Sequence, residues 1–280
     1  RGAERSRGDR PNTRNASVVA LSWQQARALA LTAELADAPL ELERHRIEGA
    51  VVETTRSYPG YYSGNRFILD ERATAANLGA WMARYREWFS WRRGEYPTLF
   101  SWYEPHANAT SIGLNGVDVH VMYAAEGEIP VRHIAPGLGH LIAFSRESHW
   151  QQLVGLELTA YPYGEAFTRW RASSFRALTD AGRGAYHGIV NEDGRLLCAV
   201  GSYYRENVAR FAGVITSPER RGRGLASALV TDVLSRMRRR ANTQVIVAES
   251  GSQAAALYES LGFTPFCYNH SLQIEPPGTL

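Results

Sequence analysis

The feature that most constrains this chain is a glycine-rich segment that joins a predicted strand at 208–216 to a long predicted helix at 225–240. The start of a helix directs several backbone N–H groups, and the positive end of the helix dipole, at one point in space. Gly222 and Gly224 carry no Cβ atom that would hold a ligand away, and Ala226 keeps the first helical turn slim. The sequence therefore predicts an anion site at the start of this helix.

Three arginines in the same segment, Arg220, Arg221 and Arg223, would add hydrogen-bond donors for an anion. The segment fits neither of the best-known phosphate loops. The Walker pattern needs a lysine, and the chain contains none. The dinucleotide fingerprint needs a glycine three residues after Gly224, where this chain has Ser227. Taken alone, the two glycines are also compatible with an ordinary helix start.

The spacing of apolar residues divides the chain into two halves, with a boundary predicted in the proline-containing segment 127–136. The second half is predicted to follow the order α-β-β-β-α-β-α-β, which is typical of a mixed sheet with helices packed on its faces. Its helices are predicted at 165–179, 225–240 and 252–261, and its strands at 185–190, 195–204, 208–216, 245–248 and 266–274. In the first half, helices are predicted at 23–35 and 74–91 and strands near 51–52, 67–69, 97–103 and 117–124.

Composition excludes several classes of protein. At 280 residues, with 44% hydrophobic and 11% aromatic residues, the chain is long enough for one large or two modest globular domains. No stretch approaches the ~18 apolar residues of a membrane-spanning helix, and the arginine-rich start lacks the apolar region of a signal peptide. We therefore expect a soluble cytoplasmic protein without a membrane partner. Cys198 and Cys267 are isolated, so we expect buried thiols and neither a metal site nor a disulfide framework.

The formal net charge of +3 does not indicate a nucleic-acid partner. Residues 1–16 carry five arginines against Glu4 and Asp9, which accounts for the whole excess, and the rest of the chain has as many acidic as basic residues. We predict that residues 1–16 are a disordered basic leader. The alternative, a nucleic-acid-binding arm, requires an affinity that falls steeply with salt and disappears when the leader is deleted.

Two short motifs follow each other in the second half. Arg221, Gly224 and Ala226 fit the pattern Gln/Arg-x-x-Gly-x-Gly/Ala. Residues 251–263 fit the pattern Asn-x-x-Ala-x-x-Leu-Tyr-x-x-x-Gly-Phe except at its first position, Gly251. In this order and at this separation, the motifs resemble the acyl-CoA-binding region of the GNAT superfamily of N-acetyltransferases. The resemblance covers residues from about 140 to 280.

The resemblance implies an α/β (α+β mixed) fold with a mostly antiparallel sheet, flanking helices and two such units in tandem. It implies an acetyl-CoA-binding catalytic domain at 131–280 and a degenerate GNAT-like domain at 17–130. The resemblance of the first half is looser and rests on Asn65, on an aromatic helix ending near Phe89 and on the stretch 116–118. Because this half contains no acyl-CoA loop, it would have lost its cofactor site.

For activity, the resemblance implies an N-acetyltransferase that moves an acetyl group from acetyl-CoA to a primary amine by direct transfer in a ternary complex. The strand before the loop would splay from its neighbour and bind the pantetheine arm with unpaired backbone groups, one of which would polarise the thioester carbonyl. Tyr258 matches the family tyrosine near the sulfur and would be the general acid for the leaving thiolate; otherwise it is a buried structural aromatic. The residues implied in cofactor binding are Val214, Ile215, Thr216, Arg221, Gly222, Arg223, Gly224, Leu225, Ala226, Gly251 and Tyr258.

One residue of the second half departs from the family pattern, and one arginine-rich run is not part of that pattern. Gly251 stands where the family has Asn, so a side-chain contact to pantetheine is missing or is supplied by Ser250 or Ser252. The arginine-rich run 236–240 ends the long helix, where cations complement the helix dipole, although a separate phosphate site is the alternative.

The general base is not placed by the resemblance. Glu206, Glu249 and His187 are weak candidates, each also compatible with a solvated or packing role, and a water chain could replace a dedicated base. The acceptor also stays open, because an antibiotic amine, an amino acid, a polyamine and a protein amino terminus all supply a primary amine.

The role of the first half is predicted from its aromatic residues. We expect it to shape the acceptor pocket or to form a subunit interface, as in a homodimer. A different class of function, a non-catalytic acyl-CoA-binding sensor that acts through a partner, is the alternative for the whole chain. The tryptophans that suggest such a surface are Trp81, Trp88, Trp91 and Trp102.

Overall fold

The computed structural model of the protein describes residues 20–92, 98–105, 113–161 and 164–274, and the predicted leader at 1–16 lies outside them. The described helices are α1 (Trp23–Glu34), α2 (Leu78–Trp88), α3 (Glu147–Ala160), α4 (Glu165–Asp180), α5 (Leu225–Met237) and α6 (Gln253–Ser260). The described strands are β1 (Glu43–Ile47), β2 (Ala50–Thr54), β3 (Arg66–Leu69), β4 (Thr98–Glu104), β5 (Val117–Ala125), β6 (His140–Ala143), β7 (Gly184–Val190), β8 (Leu196–Arg205), β9 (Val208–Thr216), β10 (Thr243–Glu249) and β11 (Phe263–Ile274).

Helix α1 begins at a capping box and buries a face of small residues. The Ser22 hydroxyl accepts a hydrogen bond from the backbone N–H of Gln25 at 3.3 Å, and the Gln25 side chain accepts one from the backbone N–H of Ser22 at 2.9 Å. Ala26, Ala30 and Ala33 are spaced at three and four residues and are buried. These short side chains let α1 lie close to the middle of the sheet.

All described strands join one sheet, in the order β1-β2-β3-β4-β11-β5-β10-β9-β8-β7-β6. The two halves repeat the same unit: three antiparallel strands, a helix, and a fourth strand parallel to the third. In the first half this unit is β1-β2-β3-α2-β4, and in the second it is β7-β8-β9-α5-β10. The prediction of a mixed, mostly antiparallel sheet built from two units is confirmed.

The two units exchange their last strands. Strand β5 of the first half pairs with β10 and β11 of the second, and β11 pairs with β4 of the first half. Ile129 and Arg132, in the segment predicted as the boundary, also contact the second half: Ile129 packs in its core, and the backbone N–H of Arg132 donates to Thr231 Oγ1 at 2.9 Å. The domain limits at 130 and 131 stay a prediction. A cut there would separate β5 from the two strands that enclose it.

Helices cover both faces of the sheet. On one face, α5 and α6 pack over a core that includes Leu229, Val233 and Tyr258, and α2 packs over Phe67 and Trp102 further along. On the other face lie α1, α3 and α4. The residues of each strand alternate between these faces, which decides the direction of every side chain in the site.

Most predicted elements are confirmed with ends shifted by a few residues, but β1, β6 and α3 were not predicted. Strand β1 has the sequence Glu-Arg-His-Arg-Ile and is exposed along most of its length, so its strand conformation depends on pairing with β2. Helix α3 has apolar residues at helical spacing, with Trp150, Leu153 and Val154 buried, and could have been found from that pattern. Within the described part of the chain, no helix has both the length and the apolar character needed to cross a bilayer.

Candidate active site

The centre of the candidate site is the place where two neighbouring strands separate. Parallel strands β9 and β10 pair only at three positions, the last of which joins Arg210 to Val245. Beyond it, β9 continues with β8 alone and β10 with β5 alone. Gly213, at a φ of 58°, lies in a bulge where the β8–β9 register shifts, and this bend turns β9 away from β10. The splay predicted from the resemblance is present in the structure.

The three predicted pantetheine-binding residues of β9 lie along this opening. Val214 packs against the core beneath α5, and Ile215 points the other way, into the core formed with α3 and α4. Thr216 lies opposite Cys198, with Oγ1 and Sγ 3.2 Å apart. On the side of β10, the backbone of these three residues has no strand partner within the described residues, so its polar groups are available to an extended ligand.

The glycine-rich loop has the geometry of an anion cradle. Gly222 and Gly224 have φ angles of 73° and 75°, which favour glycine, and Gly224 is the N-cap of α5. A Cβ atom on either residue would meet no protein atom within 4 Å, so the space in front of the loop is open. Among the described residues, no acceptor bonds the backbone N–H groups from Gly222 to Ser227. A bound anion would satisfy these groups.

The loop arginines are free to serve the same anion. Arg220, Arg221 and Arg223 form no ion pair with any described side chain. Arg221 Nε donates a long hydrogen bond to the carbonyl oxygen of Thr216 at 3.5 Å. Three uncompensated cations around a helix N-terminus produce a strongly positive site.

Tyr258 lies on α6, beneath the opening, with only 4% of its surface exposed. Its ring centroid is 6.1 Å from that of Phe263 and 6.4 Å from that of Tyr123. Burial, and then the nearby Tyr161 and Cys198 side chains, raise the pKa of the Tyr258 phenol well above its usual value. The hydroxyl therefore stays protonated, and it makes no hydrogen bond to any residue that the structure describes.

The turn before α6 shows which groups stand where the family pattern has an Asn side chain. Gly251 has a φ of 73° and offers no side chain, and the Ser252 hydroxyl accepts from the backbone N–H of Ala255 at 3.2 Å as the N-cap of α6. The backbone N–H of Ser250 donates to the carbonyl of Val119 at 2.8 Å. The Ser252 side chain is thus already used by its own helix.

The predicted base candidates are not brought together at the opening. Glu206 is exposed in the β8–β9 turn and has a φ of 52°. It precedes β9, and at the usual rise of a strand it lies roughly 25 Å along the chain from Val214. Glu249 is exposed at the end of β10. His187 is buried on β7, and burial, then Arg236, lowers its pKa to about 4, so it is neutral. Strand β8 separates His187 from β9.

A cavity that the sequence analysis did not predict opens on the α1 face of the sheet, where β9 and β10 diverge. Its volume is about 200 Å³, and its wall includes Arg210 of β9 and Val247 of β10. Glu34, Asp37, Tyr61 and His120 also line it. These residues come from both halves and from separate elements, so no local sequence pattern could have identified them.

The corresponding place in the first half carries acidic residues instead of an arginine-rich loop. Where the second half has the arginine-rich loop, the first half has Asp70, Glu71 and Arg72 after β3. Arg72 forms an ion pair with Glu104 of β4, and Asp70 pairs with Arg27 at 2.9 Å. Two acidic residues at this position would repel a diphosphate. This arrangement supports the prediction that the first half has lost its cofactor site.

Known proteins resemble this chain both in the sequence of the second half and in the fold. Residues 150–263 match the family model of the Acetyltransferase (GNAT) family, which confirms the resemblance found from the two motifs. A functionally unknown conserved protein from Staphylococcus epidermidis superposes with a TM-score of 0.67 at 11% identity, covering 85% of this chain and 96% of its own. No curated protein matches the chain.

Two further solved structures share the arrangement of both halves. A GCN5-related N-acetyltransferase from Kribbella flavida has a TM-score of 0.62 at 14% identity, covering 91% of this chain and 95% of its own. A tandem GNAT protein from the clavulanic acid biosynthesis pathway has a TM-score of 0.57 at 13% identity, covering 90% of this chain and 93% of its own. At these identities the likeness establishes the fold alone, which this chain shares over both halves with that tandem GNAT protein.

Proposed function

We propose that this chain, whose residues 150–263 match the acetyltransferase (GNAT) family model, transfers an acetyl group from acetyl-CoA to a primary amine. The observation that carries the proposal is the opening between β9 and β10. At its wide end it meets the anion cradle at Gly222 and Gly224, and at its narrow end it meets the cavity lined by Arg210 and Val247. Two substrates can therefore meet there from opposite sides, as direct transfer in a ternary complex requires.

The residues present fit coenzyme A. The unbonded N–H groups of Gly222–Ser227, with Arg220 and Arg223, would hold the diphosphate. The free edge of β9 at Val214–Thr216 would pair with the pantetheine arm as an added strand. When bound, acetyl-CoA supplies an acetyl group already activated as a thioester. A backbone N–H of β9 in this stretch would polarise the thioester carbonyl.

Tyr258 is suited to protonate the departing sulfur. Its phenol is neutral, buried and without a hydrogen-bond partner among the described residues. Burial also raises the pKa of the neighbouring Cys198 thiol to about 12, so a thiolate in these surroundings would be far more basic than in water. The same desolvation that makes the phenol a weak acid therefore makes the sulfur a strong base, and proton transfer between them stays feasible.

The overall reaction balances with these groups. A C–N bond forms to the amine and the C–S bond of the thioester breaks. The acceptor enters as an ammonium and loses two protons in becoming an amide. One proton ends on the sulfur, with Tyr258 as the relay that is restored, and the other leaves to solvent. No oxidant or reductant is needed.

The test is amine-dependent release of free thiol from acetyl-CoA, with the acetylated amine identified by mass spectrometry. We expect thiol release that rises with the concentration of a suitable amine and is abolished in Gly224→Val. Tight coenzyme A binding by calorimetry, without turnover across a broad amine panel, would contradict the enzymatic proposal. That result would favour the non-catalytic acyl-CoA sensor.

A further inference from the structure

This inference rests on the proposed function and concerns the second substrate. The cavity lies at the point where β9 and β10 separate, since Arg210 is the last residue of β9 that pairs with β10 and Val247 is two residues beyond the last paired position of β10. Both side chains point to the α1 face, because their neighbours along each strand pack in the core on the opposite face. These neighbours are Ala209 and Phe211 on β9, and Ile246 and Ala248 on β10. Tyr258 approaches from that opposite face. The cavity and the predicted proton donor thus flank the same opening.

The charged groups behind the cavity form a line of alternating sign. Arg44 pairs with Glu53 at 3.2 Å, and Glu53 pairs with Arg66 at 2.9 Å. The next contacts are Arg66 to Glu34 at 2.9 Å and Glu34 to Arg210 at 3.0 Å. Glu53, Arg66 and Glu34 therefore each have a partner of opposite charge on both sides.

Asp37 ends the line at the cavity. Its Oδ1 lies 3.0 Å from Nε of Arg210. Within the described part of the chain, Asp37 forms an ion pair with Arg210 alone, and Arg210 also pairs with Glu34. The Asp37 side chain is 18% exposed and lines the cavity. A second cation beside Asp37 would continue the alternation.

We propose that this cavity is the acceptor pocket and that it takes a small aliphatic primary amine as its ammonium ion, with Asp37 as the counter-ion. The first half thereby supplies the charge that recognises the acceptor, although the acetyl donor binds only to the second half.

Size and charge narrow the acceptor class. A cavity of about 200 Å³ holds only a few small groups and is below the ~300–1,000 Å³ of pockets that enclose drug-sized ligands. Asp37 and Glu34 would repel a carboxylate next to the amine. The two arginines in the cavity wall, Arg66 and Arg210, already pair with acidic side chains and would not compensate that repulsion. A short diamine or amino alcohol therefore fits better than an α-amino acid, an aminoglycoside or a protein amino terminus.

The first experiment compares putrescine, ethanolamine and glycine as acceptors for the full chain. We expect putrescine and ethanolamine to be preferred, and Asp37→Asn to raise the KM for putrescine about ten-fold or more while the Kd for coenzyme A stays unchanged. Asp180→Asn is the matched control, since Asp180 is an exposed carboxylate at the end of α4 that does not line the cavity. A preference for glycine, or an unchanged KM in Asp37→Asn, would overturn the proposal.

The second experiment measures binding independently of turnover. Putrescine is titrated into coenzyme A-saturated protein by calorimetry, with Ser63→Trp to fill the mouth of the cavity and Ser90→Trp as the control. Both serines are exposed, but only Ser63 lines the cavity. We expect Ser63→Trp alone to lose putrescine binding. The proposed pocket would be overturned if putrescine did not bind the unmodified protein, or if it still bound the Ser63→Trp variant. Putrescine binding that Ser63→Trp abolishes, but without any turnover, would overturn only the proposed function.

Discussion

The guanidinium of Arg210 on β9 lies 3.0 Å from the carboxylate of Asp37, which follows α1, and this contact joins the two halves of the protein. Arg210 is also the last residue at which β9 pairs with β10. The ion pair therefore fixes a first-half carboxylate at the point where the two strands of the second half separate. The acetyl donor and the acceptor would meet at this point.

The loop glycines provide a test of donor binding. In Gly224→Val the new Cβ atom meets no protein atom within 4 Å, so the side chain would enter the space proposed for the diphosphate, and we expect coenzyme A affinity measured by calorimetry to be lost. A φ of 75° strains any L residue by about 1–2 kcal/mol. Gly182→Val is the control, since Gly182 has a φ of 69° and equally open surroundings at the end of α4. Equal losses in both variants would show that strain alone weakens binding.

The loop arginines should contribute to coenzyme A binding through their positive charge. We expect the double variant Arg220→Gln and Arg223→Gln to weaken coenzyme A binding about ten-fold or more. The effect should shrink as salt is raised, because the charges of the partly exposed Arg220 and the exposed Arg223 are screened. Arg239→Gln removes an exposed arginine from the run at the end of α5 and should leave the Kd unchanged. Weaker binding in Arg239→Gln would revive the separate phosphate site at 236–240.

Tyr258 can be tested by separating its hydroxyl from its ring. Tyr258→Phe keeps the packing against Phe263 and removes the proton donor, so we expect kcat to fall by ~100-fold or more with an unchanged Kd for coenzyme A. Tyr258→Ala should also weaken coenzyme A binding through the cavity that it leaves. A Phe variant with normal kcat would assign the proton to another group or to water.

The acceptor step should depend on pH through Asp37. The pKa of Asp37 is raised to about 6, because burial and then the nearby Glu34 raise it more than Arg210 lowers it. As the pH falls below this value the carboxylate is neutralised and no longer attracts an ammonium, so the KM for putrescine should rise between about pH 7 and pH 5 with the Kd for coenzyme A unchanged.

Arg210, Tyr61 and Glu34 also line the cavity and do not titrate in that window. Arg210 stays protonated because its pKa is raised. Burial, and then Asp37 itself, keep the pKa of Tyr61 far above the window, and the pKa of Glu34 lies at about 2. His120 also lines the cavity, so the profile is measured in His120→Gln and in Asp37→Asn. The rise should persist in the first variant and vanish in the second; the reverse result would assign the dependence to His120.

Glu34 should be important for stability. Burial by itself would raise its pKa, but Arg210 and Arg66 lower it to about 2. Because the folded-state pKa lies below the ordinary value of 4.5, the stabilisation is present above that pH and is lost as the pH falls toward 2. Glu34→Gln leaves two buried arginines undercompensated, and we expect the free energy of unfolding measured in urea at pH 7 to fall by about 3–5 kcal/mol. A loss below 1 kcal/mol would show that the network relaxes without Glu34.

Those parts of the site whose residues are neighbours along the chain could be predicted from the sequence. The Gly222 and Gly224 loop, the start of α5 and the position of Tyr258 on α6 follow from short patterns, because turn geometry and helix periodicity act over a few residues. The same holds for most helices and for the strands with buried, β-branched residues. Strand β1 was missed because it has almost no apolar residues and forms only against β2.

The tertiary structure decided which distant residues meet. The exchange of β5 and β11 between the halves follows from pairing among strands far apart in sequence, and no local pattern records it. Glu34 and Arg210, 176 residues apart, become partners only once α1 packs across the middle of the sheet. Buried charges are stable only beside opposite charges, so the fold must bring them together, and the cavity at Asp37 exists because both halves contribute walls to it.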